Sequence, residues 1–185
     1  GIKYNMDQAA EICAEIFPFL KTLAEKGRDT DAIFLLSLHS MYGFCTGFNR
    51  QKALELCRQS AEHNNIFANL LLGDSYLFNG AYSYHLNVSR NKDKANACFS
   101  YICGNAELEF AVGLRYLKSS KLYKEDKSQA IEWIEMSAKH GCTEARDMLD
   151  EMRINERLMQ LIKSDEFDKS DVTFLMQIYK GGDAQ

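Results

Sequence analysis

One proline, Pro18, stands in 185 residues. So few breakers favour helices over a turn-rich β fold. No charge sign dominates: 22 Lys and Arg face 26 Asp and Glu, for a net charge of −4. That balance gives no reason to expect nucleic acid as a partner. No uninterrupted apolar run is long enough to span a bilayer. The six cysteines include no C-x-x-C pair, so no zinc ribbon is indicated. There is no G-x-S-x-G, no H-E-x-x-H and no phosphate loop. We therefore expect no catalytic, metal or cofactor-binding residues and no enzyme. The opening residues Gly1-Ile2-Lys3-Tyr4-Asn5 lack the apolar core of a signal peptide, and a cytoplasmic location is expected. Gly1 in place of Met keeps a removed leader as the alternative.

What is present is a globular composition, 46% hydrophobic and 26% charged. The chain is organised around residues 127–145. There Ala130, Trp133, Ile134, Ser137 and Ala138 fall on one helical face. Asp126 stands ahead as an N-cap and Gly141 behind as a C′ residue. The pattern recurs upstream. Ala53, Ala95 and Ala130 are each preceded four residues earlier by Asn49, Asn91 and Asp126, and followed eight later by Ala61, Cys103 and Ala138. Small residues recurring on one face let helices approach closely. Preceding helices end near Tyr42, Tyr76 and Tyr116, with His39, Gly73 and Gly113 three residues before each. His39 departs from the small residue. Counting back eight from each tyrosine gives unit starts at Phe34, Ala68 and Leu108, and the next start is Ala145, for spacings of 34, 40 and 37 residues.

On these residues the chain resembles the Sel-one-like repeat family, relatives of the tetratricopeptide repeats. Ala68, Leu72, Gly73 and Tyr76 match the motif's first helix, and residues 127–141 match its second, with Ala130, Trp133, Ala138 and Gly141. The resemblance covers residues 34–145. It implies an all-α, right-handed α-solenoid of antiparallel helix pairs that usually serves as an adaptor or scaffold. The expected division is capping helices over 1–33, three repeats over 34–145 (34–67, 68–107 and 108–144), and C-terminal caps over 145–185. The N-terminal helix should split near Pro18. Unit 2 should have a short second helix, closing at Gly104. Ser170-Asp171 should cap a last helix carrying Phe174, Leu175, Ile178 and Tyr179.

Buried, reduced thiols are the expected state of the cysteines. His63 and His140 share one repeat position and read as end-of-helix residues. Asn87-Val88-Ser89 matches a glycosylation sequon and reads as incidental. Arg50, Arg90, Lys92, Lys118, Lys121, Lys124 and Lys127 form a candidate basic loop edge.

The sharper signal lies in the first helices. Tetratricopeptide geometry, carried over by resemblance, turns Leu36, Ser40, Gly43 and Phe44, then Leu70, Asp74, Leu77 and Phe78, then Phe110, Leu114, Leu117 and Lys118 towards a concave groove. Asp74 would fix a ligand's register there. The long loop of unit 2 adds Tyr82, Tyr84 and His85, since aromatics make good anchors. The expected partner-binding set is therefore Leu70, Asp74, Leu77, Phe78, Tyr82, Tyr84, His85, Phe110 and Leu114. Its occupant would be a protein or peptide, with the chain's own last helix or a second copy, as a homodimer, as alternatives. An adaptor or sequestering inhibitor is the expected function. A cognate immunity or regulatory protein that blocks a toxin or enzyme is the runner-up, and an enzyme or enzyme regulatory domain the rival from another class.

Overall fold

The computed structural model describes residues 6–27, 29–78, 86 and 88–163. The expected last helix, around Phe174 to Tyr179, lies outside the described residues. Among the described residues eight α-helices run in chain order: α1 Met6–Thr22, α2 Thr30–Tyr42, α3 Arg50–Glu62, α4 Ile66–Leu77, α5 Lys92–Phe99, α6 Ala106–Ser119, α7 Asp126–Lys139 and α8 Thr143–Lys163. The fold is all-α, with α2 against α3, α4 against α5 and α6 against α7 as antiparallel pairs.

Caps set the repeat. Asp29, Asn65 and Asn105 precede the first helices, and each side chain accepts a backbone N–H three residues on, from Ala32, Ala68 and Leu108. Asn49 and Asn91 do the same for the second helices α3 and α5. The backbone N–H groups of Asn49 and Asn91 also donate to the carbonyls of Ser40 and Tyr76, each at about the same distance (2.8 and 2.9 Å). Ser40, not Tyr42, is therefore the equivalent of Tyr76, and the first helix of unit 1 sits two residues earlier than its tyrosine suggests. Tyr42 is accordingly exposed, whereas Tyr76 and Tyr116 are buried. Ser37, not His39, takes the place of Gly73 and Gly113. His39 is buried instead beside the Phe17 ring, at 5.3 Å between centroids.

The small-residue positions act as expected. A Cβ on Gly113 would lie 2.6 Å from Cγ1 of Ile134, and one on Gly73 would overlap the Phe99 ring. The main core runs from Met41 to Trp133 through all three pairs, with Phe99 edge-on to both Tyr116 and Trp133. A second cluster, of Ile134, Cys142, Ala145 and Leu149, joins α7 to α8.

Three local expectations change. The helix does not split at Pro18: α1 runs through it to Thr22 and only then loosens into a π-turn over Leu23–Gly27. Passing a proline forfeits one backbone hydrogen bond, but the neighbouring turns carry the helix on. Asp126 is the first residue of α7 rather than its cap, which is Glu125 without a side-chain cap bond. The thiols are free but not uniformly buried: Cys57 and Cys142 are buried, Cys13 and Cys98 half-buried, Cys45 and Cys103 exposed. The short α5 is borne out, tightening into a 3-10 turn over Ser100–Ile102 before Gly104 at φ +94°.

Two outcomes follow from this packing. Trp133, 6% exposed, fills the gap between α5 and α7, so Trp133→Ala should destabilise the chain by about 3–5 kcal/mol in urea unfolding. A loss below about 1 kcal/mol would refute its role as a core anchor. Burial pushes the Cys57 thiol up to about 12, with Cys98 adding to the rise. At pH 8 a thiol reagent should modify exposed Cys45 first and Cys57 only on unfolding, and denatured, unreduced protein should titrate six thiols.

Candidate interaction surface

The first helices α2, α4 and α6 share one partly open apolar face. Phe67 is 60% exposed and stacks on half-buried Phe34 of α2, with centroids 6.1 Å apart. Leu70 and Asp74 follow Phe67 at helical spacing on α4, and Phe110 and Leu114 on α6. Leu114 is 38% exposed, while Leu70 and Phe110 are half-buried against the two core clusters. Asp74 and Arg115 join α4 to α6 by a 2.6 Å ion pair, with each side chain about one third exposed. Burial raises the Asp74 carboxyl above its ordinary range, against the pull of Arg115 and then Lys118.

Unit 3 carries two fully buried acids. Both oxygens of Asp126 are engaged: Arg90 donates to each, at 3.1 and 3.0 Å, Lys92 Nζ lies at 3.2 Å, and the Ser119 hydroxyl donates at 2.5 Å. The Arg90 guanidinium also lies 3.8 Å from the Tyr123 ring centroid. Burial alone would raise the Asp126 carboxyl, yet bonds from Ser119, Arg90 and Lys92 hold it below the ordinary value. Glu109 accepts the Gly104 N–H at 2.6 Å and lies 2.7 Å from His140 Nδ1. His140 does end its helix, as His63 does, and its pairing with Glu109 adds a contact the sequence did not signal.

Two hollows flank these elements. A cavity of about 540 Å³ lies among α1, α2 and α3, with Phe17, Lys21, Ile33, Leu36, Ser40 and Leu56 in its wall. A cleft of about 310 Å³ lies between α3 and the start of α5, with Arg58, Tyr76, Ser89 and Lys94 around it. Among the described residues no group of three or more His, Cys, Asp and Glu is placed to hold a metal ion, and no helix is long and apolar enough to cross a membrane.

The repeating caps, glycine contacts and paired helices find their match in known proteins. The Sel1 repeat matches residues 30–65, 66–102 and 106–142. The chain belongs to the Sel1 repeat family. Each matched repeat begins one residue after a first-helix cap, Asp29 or Asn65 or Asn105, which agrees with the register set by hydrogen bonds. The crystal structure of a Sel1 repeat protein from Oxalobacter formigenes is 25% identical, with a TM-score of 0.51, covering 71% of this chain and 95% of that one. No curated protein matches. Sel1 repeats are typically protein-interaction modules and generally non-catalytic.

Within that Sel1 frame the expected site residues divide. Leu70, Phe110 and Leu114 lie on the shared face. Leu77 and Phe78 do not offer a surface: at 0% and 6% exposed they belong to the core. Asp74 shares its Oδ1 with Arg115 across α4 and α6. Tyr82, Tyr84 and His85 lie outside the described residues. Leu36 and Ser40 line the cavity beside α1 instead of the groove. The sequence missed Phe34 and Phe67; aligning Asp29 with Asn65 and Asn105 would have placed Phe34 level with Leu70 and Phe110. The basic edge loses Arg90 and Lys92, which Asp126 engages.

Removing the Asp126 carboxylate leaves two cations without their buried partner. Asp126→Ala should therefore destabilise by about 3–5 kcal/mol. The folded pKa is depressed, so the stabilisation is complete above the unfolded value of about 3.9 and is lost as pH falls through the lower folded value. Urea midpoints between pH 6 and pH 2 should fall more steeply for the wild type than for Asp126→Ala. Parallel curves would refute the assignment.

Proposed function

We propose that this Sel1 repeat chain is an adaptor, scaffold or sequestering inhibitor that holds an apolar segment of a partner protein on the face shared by α2, α4 and α6. The observation that carries it is the row of Phe67, Leu70 and Leu114, apolar side chains left partly in water beside a half-buried ion pair. Open apolar surface rimmed by polar groups is the usual mark of an interaction site. Aromatic anchors such as Phe67 bury large area at small entropy cost. Tyr82, Tyr84 and His85, which lie outside the described residues, are included as a second contact. A cytoplasmic location suits cysteines kept as thiols.

The test is capture from native extract, with bound proteins identified by mass and affinity then measured with the purified partner. Phe67→Ser with Leu114→Ser should leave the helical circular dichroism unchanged and weaken binding at least tenfold, about 1.4 kcal/mol. Tyr82→Ala with Tyr84→Ala should weaken it in the same direction. Unchanged affinity in the Phe67 and Leu114 variant, with loss on charge reversal at Lys121 and Lys124, would assign the site to the basic edge. Sedimentation of the free protein as a dimer that the Phe67 and Leu114 variant dissolves would assign the face to a second copy.

A further inference from the structure

The two junctions between successive units differ in where their cations find a counter-charge. At the junction of units 2 and 3, Arg90 and Lys92 meet Asp126, four residues ahead of Ala130. The Tyr116 hydroxyl donates to Asn96. At the junction of units 1 and 2 the residue four ahead of the anchor alanine is neutral Asn91, and the residue matching Asn96 is Leu54. The cleft of about 310 Å³ opens here. Arg58, Lys94 and Arg90 line it, the last already paired with Asp126, and no carboxylate does among the described residues. Among the described residues neither Arg58 nor Lys94 has an ion pair: the Arg58 guanidinium donates to the Tyr76 hydroxyl, at 3.3 Å, and Lys94 Nζ lies 5.5 Å from the centre of that ring. The Ser89 hydroxyl completes a set of donors around one hollow.

We propose that this cleft is an oxyanion site, in which an external carboxylate or phosphate takes the place that Asp126 fills one unit later. Arginine and hydroxyl donors suit either anion, since a guanidinium presents parallel N–H groups and a hydroxyl turns its proton to fit. Leu54 and Val88 form the apolar part of the wall, so the anion would be carried on a group with some apolar surface, as a side chain of a partner protein is. The site lies away from the apolar face of the first helices and stands independently of what binds there.

The experiment is a two-dimensional 15N NMR titration of the intact chain with sodium phosphate and, separately, sodium acetate, at constant ionic strength. Saturable shifts should cluster at Arg58, Ser89 and residues 91–94, with dissociation constants of roughly 1–10 mM, the scale for so small a ligand. The tighter of the two anions would identify the source as a phosphorylated or an acidic side chain. Arg58→Gln should weaken binding about tenfold or more. Asn91→Asp should do the same by supplying an internal carboxylate, while preserving the α5 cap, because aspartate caps as well as asparagine. Lys121→Gln should change nothing. Linear shifts spread over all surface lysines, or an Asn91→Asp protein that titrates like the wild type, would overturn the proposal.

Discussion

Each helix pair in units 2 and 3 closes where one partner has no side chain. Phe99 lies against Gly73 and Ile134 against Gly113, and a Cβ at either glycine would collide with its neighbour. A glycine inside a helix costs about 1 kcal/mol in propensity. Burying a phenylalanine or isoleucine returns about 1.5–3 kcal/mol, so the contact wins. Unit 1 meets the same constraint differently: Ser37 stands at the crossing, its hydroxyl donating to the Phe34 carbonyl, and the α3 residue level with Phe99 and Ile134 is the small Cys57. With the pair spacing fixed, the faces of α2, α4 and α6 follow, including which side chains stay in water.

The second helices were legible because independent signals coincided: an Asn cap, a small residue four later, and a second small residue eight beyond that. The first helices of units 2 and 3 were legible from Gly73, Gly113 and their tyrosines. Unit 1 was misplaced by two residues because Tyr42 imitates a repeat tyrosine in sequence but lies on the outside of the helix end. The binding residues were less legible for a different reason. Helix α4 is apolar almost all round, from Ile66 to Phe78, so periodicity cannot divide its groove face from its core face. Leu77 and Phe78 fell on the wrong side of that division, whereas Leu114, on the more amphipathic α6, did not.

Asp126 shows the limit of reading caps by residue type. Aspartate and asparagine are nearly equivalent at an N-cap, so a pattern with Asn49, Asn91 and Asp126 looks uniform. They are not equivalent once buried. A carboxylate out of water needs charged or hydroxyl donors, and Asp126 meets Arg90 just before α5, Lys92 at the start of α5 and Ser119 at the end of α6. Asp126 stands as the first residue of α7 and not as its cap, and its contacts remove two cations from the expected basic edge. A change of one atom from nitrogen to oxygen thereby reorganises a junction that the hydrophobic pattern treats as identical.

Among the described residues the fully buried acids are not spread evenly. Glu109 and Asp126 both belong to unit 3, and each ties that unit to residues just before it, Gly104 in one case and Arg90 with Lys92 in the other. Such networks add little net stability, because desolvation offsets the attraction, but a fully satisfied network admits few alternative arrangements. Between units 1 and 2 the contacts are ring against ring at Phe34 and Phe67, an arginine on a tyrosine hydroxyl, and the Asn65 amide donating to Asp31 at 2.6 Å. Units 2 and 3 are thereby tied together by buried acids, with Asp74 and Arg115 paired between α4 and α6 as well. At the junction of units 1 and 2, by contrast, ring contacts and a hydrogen-bonded cap hold the helices together, with no fully buried acid among the described residues.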